Sequence, residues 1–311
     1  SDSAGNTNSN ADVVTMRIDT VDVTAPTVEV SANTQQLGAG ETATVTFALS
    51  EAVTDFAAED VTVTGGSLSN FDGSGNAYTA TFTPTANSTN PGVVSVAADT
   101  FTDLAGNKNT RNSIITFQVN TVVPTVAITS DDASLSIGET AGINFNLSVT
   151  STDFTVEDVS ASGGSLSGFA GTGAAYTATF TPTADSTADG VVSVAAGAFT
   201  DAAGNASTGD ASVTMAVDTA APTIAITSGD TSLTFGETAA INFTLSETST
   251  DFSVEDVSAS GGSLSGFTGT GAAYTATFTP TANSTTDGVI SVAAGAFTDA
   301  AGNASTGDAS V

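Results

Sequence analysis

The sequence predicts an all-β chain made of tandem copies of one small antiparallel β-sandwich, and three observations carry that prediction. First, landmarks recur every 98 residues: FTDLAGN at 101–107 returns as FTDAAGN at 199–205 and 297–303, while Pro26, Pro124 and Pro222 keep the same spacing, as do Tyr78, Tyr176 and Tyr274. A fixed period of this kind makes each copy one structural unit. Second, apolar residues alternate with threonine at period two, the mark of a half-buried strand. Third, no ten-residue window carries the apolar stripe of an amphipathic helix.

Within the first copy the strands are expected at 27–31, 44–49, 61–64, 67–71, 78–83, 93–97 and 113–119. In the second of these Val45, Phe47 and Leu49 point one way and Thr44 and Thr46 the other; Tyr78, Ala80 and Phe82 alternate with Thr79, Thr81 and Thr83 in the same manner. Gly65-Gly66, the turn 72–76 and Pro84 punctuate the runs, because glycine supplies positive φ and proline ends ladder pairing. Segments 125–213 and 223–311 differ at 13 of 89 aligned positions, so these two copies duplicated recently. The expected division is a final loop and strand of a preceding repeat over 1–22, then repeats at 23–122, 123–220 and 221–311, the last with an incomplete final strand.

Composition narrows the chemistry. Among 311 residues there are 33 acidic and 3 basic side chains, a formal charge of -30, which excludes nucleic-acid or anionic-membrane binding through a basic surface. Cysteine and histidine are absent, so there is no disulfide framework, no thiolate zinc site, no Cys nucleophile and no Ser-His pair. No run approaches the roughly 20 apolar residues of a membrane span, and residues 1–20 lack an apolar signal core, so an export signal is expected outside this sequence.

Units that open with DTAAPT (218–223), continue through SE and TDF before a VEDV or AEDV strand, and close with FTDAAGN resemble bacterial immunoglobulin-like domains. The resemblance spans essentially the whole chain. It implies tandem immunoglobulin-like sandwiches from a large repetitive surface adhesin or biofilm protein, an extracellular extender whose junctions calcium (Ca2+) commonly stiffens. Neighbouring repeats or identical subunits would then be its end-to-end partners, and the adhesive target stays open.

An immunoglobulin-like strand order gathers the loop after the second strand, the loop before the last strand and the incoming chain at one pole. In the first repeat that pole is expected to collect Asp22, Glu51, Asp55, Glu59, Asp60, Asp103 and Asn107. The third repeats the set with Asp218, Glu247, Asp251, Glu255, Asp256, Asp299 and Asn303. The second departs from it: Asn120 stands for the junction Asp and Val149 for the Glu, leaving Asp153, Glu157, Asp158, Asp201 and Asn205. Calcium takes six to eight oxygen ligands at flexible spacing, which carboxylates, an amide and loop carbonyls supply. The competing expectation is a merely solvated acidic surface. Recurrence at fixed loop positions favours calcium, as does the lack of any Lys or Arg from residue 125 onward; the three cations are Arg17, Lys108 and Arg111.

An enzyme would show an insertion of unlike residues, and a ligand-binding module a loop unique to one copy; neither is present. The glycine-rich 261–271 lacks the Lys of a phosphate loop. The ends suggest one alternative function. Residues 1–6 match the TDAAGN loop and 12–22 a final strand, while the third copy stops at Val311, aligned with Val213. A segment cut from a longer repeat array would have this register, and so would a filament subunit assembled head to tail by strand complementation.

Overall fold

The computed structural model describes residues 3–4 and 22–311. The chain divides into two compact units, Ser1–Val122 and Val123–Val311. Among the described residues there is no α-helix, only strands and three single-turn 3-10 segments. The expected leading loop and strand over 1–22 fall almost wholly outside the described residues.

In the first unit the strands are β1 (Val28–Ala32), β2 (Gln36–Leu37), β3 (Ala43–Val53), β4 (Val61–Thr64), β5 (Gly66–Pro84), β6 (Gly92–Val96) and β7 (Ser113–Val119). They form two sheets, β1-β3-β5 and β2-β7-β6-β4. Pairing is antiparallel except between β2 and β7, where Leu37 lies beside Val119 in parallel register. At two residues β2 is too short to leave a periodic signal, and the strand expectation did not include it.

The alternation seen in the sequence sets the burial. Along β3, Val45, Phe47 and Leu49 are buried, while Thr44 and Ala48 face outward. They pack with Tyr78 and Phe82 of β5 against Val94, Val96, Ile115 and Phe117 of the other sheet. Phe82 and Phe117 stack across the two sheets at 4.5 Å. Gly92 lies beneath that pair: a Cβ there would come within 2.4 Å of the Phe82 ring. Removing the apolar faces of both sheets from water is the main stabilising term.

The 19-residue run β5 doubles back on itself. Straight, it would hold Gly66 and Thr83 about 55 Å apart; instead a Cβ on Gly66 would meet the Thr83 carbonyl at 2.4 Å, and Thr85 N–H donates to Gly65 O at 3.0 Å. The reversal falls at the expected turn, where Gly73 has φ 142° and Gly75 φ 68°.

The second unit holds two further sandwiches. Strands β8 (Val126–Ser130), β9 (Ser134–Leu135), β10 (Ala141–Ser151), β11 (Val159–Ser162), β12 (Gly164–Pro182), β13 (Gly190–Val194) and β14 (Ala211–Val217) repeat the first topology. In the third copy β15 (Ile224–Ser228), β16 (Ala239–Ser249) and β18 (Gly262–Pro280) form one sheet, and β17 (Val257–Ser260), β19 (Val289–Val292) and β20 (Ala309–Ser310) the other.

One buried position differs informatively between copies. Asn109 is fully buried in the first repeat, where its side chain accepts from Thr100 and Phe101 N–H and donates to Ala97 O. In the third repeat Ser305 takes its place, and its buried hydroxyl has no hydrogen-bond partner. Ser305→Asn is therefore expected to stabilise the second unit by about 1 kcal/mol, measured as a higher urea midpoint with unchanged slope.

Candidate metal centre

The head of each repeat is assembled from three places in the sequence, and an aromatic hub holds them from beneath. In the third repeat Phe252, on the loop after β16, lies 5.0 Å from Tyr274, 5.2 Å from Phe297 and 5.8 Å from both Phe243 and Phe267. Phe56 and Phe154 occupy the same position in the other copies. With Phe252 turned inward, its neighbour Asp251 faces outward and accepts from Thr298 N–H and Oγ1–H, tying the two head loops together. Asp55 binds Thr102 and Asp153 binds Thr200 in the same way. The incoming chain is fastened by Ser246 Oγ, which accepts from Thr223 N–H at 2.8 Å, and by Pro222 O, which accepts from Thr306 N–H at 3.0 Å.

Among the described residues two groups of three carboxylates converge on this frame: Asp22, Glu51 and Asp103 in the first repeat, and Asp218, Glu247 and Asp299 in the third. In each group the carboxylate oxygens lie within 4.8 Å of one another. Asp299 is buried and preorganised, its Oδ1 accepting from Ala301 and Asn303 N–H at 2.9 Å and its Oδ2 from Asn303 Nδ2 at 2.9 Å. Asn303 Nδ2 also donates to Asp218 O at 2.9 Å, and its Oδ1 accepts from Ile137 N–H of the preceding repeat at 2.8 Å. The junction between second and third repeats thus passes directly through the acidic cluster. Asp103 and Asn107 repeat the arrangement, with Asn107 Nδ2 donating to Asp22 O at 2.9 Å.

Electrostatics separates the members. Desolvation, reinforced by Asp218 and Asp299, raises the pKa of Glu247; desolvation with Asp22 and Asp103 does the same for Glu51. The hydrogen bond from the Asn107 side chain, followed by those from nearby backbone amides, holds Asp103 below its usual value. In both groups a glutamate resists ionisation beside its two aspartates, and in the first Asp103 is at the same time held ionised, an arrangement that a cation would relieve.

The remaining predicted ligands lie outside these groups. Asp55, Asp153 and Asp251 serve the threonine contacts described above. Asp60, Asp158 and Asp256 close the single-turn segments by accepting from Ala57, Thr155 and Ser253 N–H, and Glu59, Glu157 and Glu255 are exposed beside them. In the second repeat Asp201 and Asn205 keep the loop geometry, with Asn205 N–H donating to Asp201 Oδ1 at 2.9 Å, while Asn120 and Val149 hold the positions of the junction Asp and the Glu. Ile137 is a junction residue that sequence reasoning missed: its contribution is a backbone N–H, which leaves no residue-type signal.

The bacterial Ig-like domain family matches three consecutive stretches, 22–119, 120–217 and 218–311. The chain belongs to that family. The resemblance drawn from DTAAPT and FTDAAGN is thereby met, and the tandem immunoglobulin-like sandwich is the observed architecture. Among solved structures, these bacterial Ig-like repeats are similar to the Escherichia coli adhesin FdeC at 16% identity, covering 91% of this chain and 96% of that one, with a TM-score of 0.33. They are also similar to Yersinia pseudotuberculosis InvD at 15% identity, covering 92% and 96%, with a TM-score of 0.30. A three-domain structure of titin shows 10% identity over 92% and 97%, with a TM-score of 0.42. No curated protein matches the chain.

The two three-carboxylate heads and the reduced one between them make a directional prediction. Val149→Glu is expected to add calcium affinity at the second head, read as an increase in bound ions per chain in a calcium titration. An unchanged isotherm would remove the glutamate position from the ligand set.

Proposed function

We propose that this chain is a non-enzymatic, extracellular spacer of a bacterial surface adhesin, in which calcium at the head of a repeat fixes that repeat to the one before it. The observation that carries the reading is the cluster of Asp218, Glu247 and Asp299, which shares Asn303 with the hydrogen bond from Ile137 of the preceding repeat. The donor set is entirely carboxylate oxygen, which suits a hard cation, and carbonyls and water complete six to eight ligands. Asp218, Glu247 and Asp299 would hold the ion in the third repeat and Asp22, Glu51 and Asp103 in the first. Bound there, calcium supplies the charge that permits all three carboxylates to be ionised together.

Membership of the bacterial Ig-like family and the likeness to adhesins support a structural role at the cell surface. Small-angle X-ray scattering tests the stiffening directly. With calcium the distance distribution is expected to lengthen and sharpen relative to EDTA at equal ionic strength, and identical distributions would contradict it.

A further inference from the structure

The outer face of the sheet β2-β7-β6-β4 in the first repeat takes no part in the acidic head. Ser113 turns toward β1, where its Oγ accepts from Val30 N–H at 2.9 Å, so the next residue, Ile114, points outward from β7 and is 65% exposed. Pairing sets Ile114 beside Ser95 and Ser95 beside Thr62, and the adjoining row is Thr116, Val93 and Thr64. None of these six side chains is charged, in a chain with 33 acids. The segment leading into β7 carries Lys108 and Arg111, which are exposed and, among the described residues, form no ion pair. They balance Asp99 and Asp103, so 92–119 is neutral, whereas the equivalent 190–217 carries Asp201 and Asp210 with no cation. The second repeat has Ala206, Gly209 and Ser212 in place of Lys108, Arg111 and Ile114. All three are exposed there too, in a repeat with one before it and one after, so exposure at these positions belongs to the sandwich itself.

The VEDV motif supplies a surface of opposite character. In the single-turn segments Val156–Asp158 and Val254–Asp256 the last residue accepts from Thr155 or Ser253 N–H at 2.7 Å and closes the turn. That leaves Val156 and Val254, each 47% exposed, beside the exposed Glu157 and Glu255. Neither the valines nor these glutamates belong to a core cluster or to a carboxylate group of the heads. The first repeat has Ala58 where the others have valine. An apolar side chain with two cations thus occurs in the first repeat, and an apolar side chain with an acid in the two copies that hold no Lys or Arg.

We propose that the Ile114 face docks a second copy of the chain through its VEDV turns: Ile114 packs on Val254 or its duplicate Val156, while Lys108 and Arg111 meet Glu255 or Glu157. Charge selects the occupant. Copies of a chain with formal charge -30 repel one another except where cation meets acid, and the neutral face around Ile114 is where an acidic turn approaches without opposition. An apolar contact with ion pairs around it has the core and rim of a small interface. With so few residues the association is weak. Because the two surfaces differ, it is heterologous and extends with concentration instead of closing on a pair. The contact goes beyond the spacer reading, since it joins separate chains and needs no calcium.

Sedimentation velocity of the full chain over a wide concentration range, in EDTA at physiological ionic strength, tests the contact apart from any effect of calcium. Reversible, concentration-dependent association is expected. Lys108→Ala with Arg111→Gly should weaken it about tenfold, at roughly two- to fivefold for each exposed ion pair, and adding Ile114→Ser should weaken it about tenfold further. These changes install the residues that the second repeat carries in the same fold, so the melting curve should stay as it is. On the other surface, Glu157→Lys with Glu255→Lys should abolish association, and adding Lys108→Glu with Arg111→Glu to that chain should restore it. A parent chain that is monomeric at every concentration, or a triple variant of the Ile114 face that associates as the parent does, overturns the proposal. Association unmoved by the glutamate changes overturns the choice of occupant, as does binding of dextran sulfate through Lys108 and Arg111 by a chain that stays monomeric.

Discussion

Phe252→Ala is expected to destabilise the third repeat by about 3–5 kcal/mol, the range for truncating a fully packed phenylalanine. The ring touches four other aromatic rings, two of them, Tyr274 and Phe297, at 5.0 and 5.2 Å, and it is 5% exposed. Its removal leaves a cavity beneath the loops that bring Glu247 and Asp299 together, so stability and calcium affinity should fall in the same variant. Urea unfolding checks the first effect and a calcium titration the second. A loss below about 1 kcal/mol would mean that the head loops hold their shape without the hub.

Calcium is expected to raise the melting temperature by several degrees over EDTA at constant ionic strength. A ligand bound only to the folded state adds about 2.7 kcal/mol at a hundredfold excess over its dissociation constant. The repulsion it relieves is specific to the two heads, and this gives the pH dependence a sign. Glu51 and Glu247 have folded pKa values raised above 4.5, so without calcium the folded state holds their protons more tightly than the unfolded state does. Stability should therefore increase as pH falls from 7 through their folded pKa values toward 4.5. Asp103, Asp153 and Asp251 act oppositely. Ser151 and Thr200 hydrogen bonds hold Asp153 below 3.8, and Asp251 is held there by Ser249 and Thr298 against desolvation, so their contribution is lost as pH drops below that value. A stability maximum in mild acid follows for the calcium-free chain. Glu247→Gln should raise melting in EDTA and shrink the response to calcium. A Glu247→Gln variant less stable in EDTA than the parent would contradict the repulsion.

Much of this organisation was legible in residue order. The 98-residue recurrence of Phe101, Phe199 and Phe297 marked the repeats, and alternation in 44–49 and 78–83 gave each strand its buried face. The convergence of Glu51 with Asp103 followed from the immunoglobulin-like order of strands, because the pole is set by topology rather than by sequence distance. Less was visible in the TDF and VEDV motifs. An outward Asp beside an inward Phe looks alike whether it faces an ion or a threonine, and only the fold places Asp251 against Thr298. Asp60 is similar: an acid three residues after Ala57 can close a turn as readily as coordinate a cation, and here it accepts from Ala57 N–H. Backbone contributions such as the Ile137 N–H were outside the reach of residue types altogether.

Isothermal titration of calcium into the whole chain, beside the Glu51→Gln, Glu247→Gln double variant, tests the metal assignment most directly. Two ions per parent chain are expected, with binding at both heads strongly weakened in the double variant. A parent chain that binds no calcium, or a double variant that binds as the parent does, would contradict it.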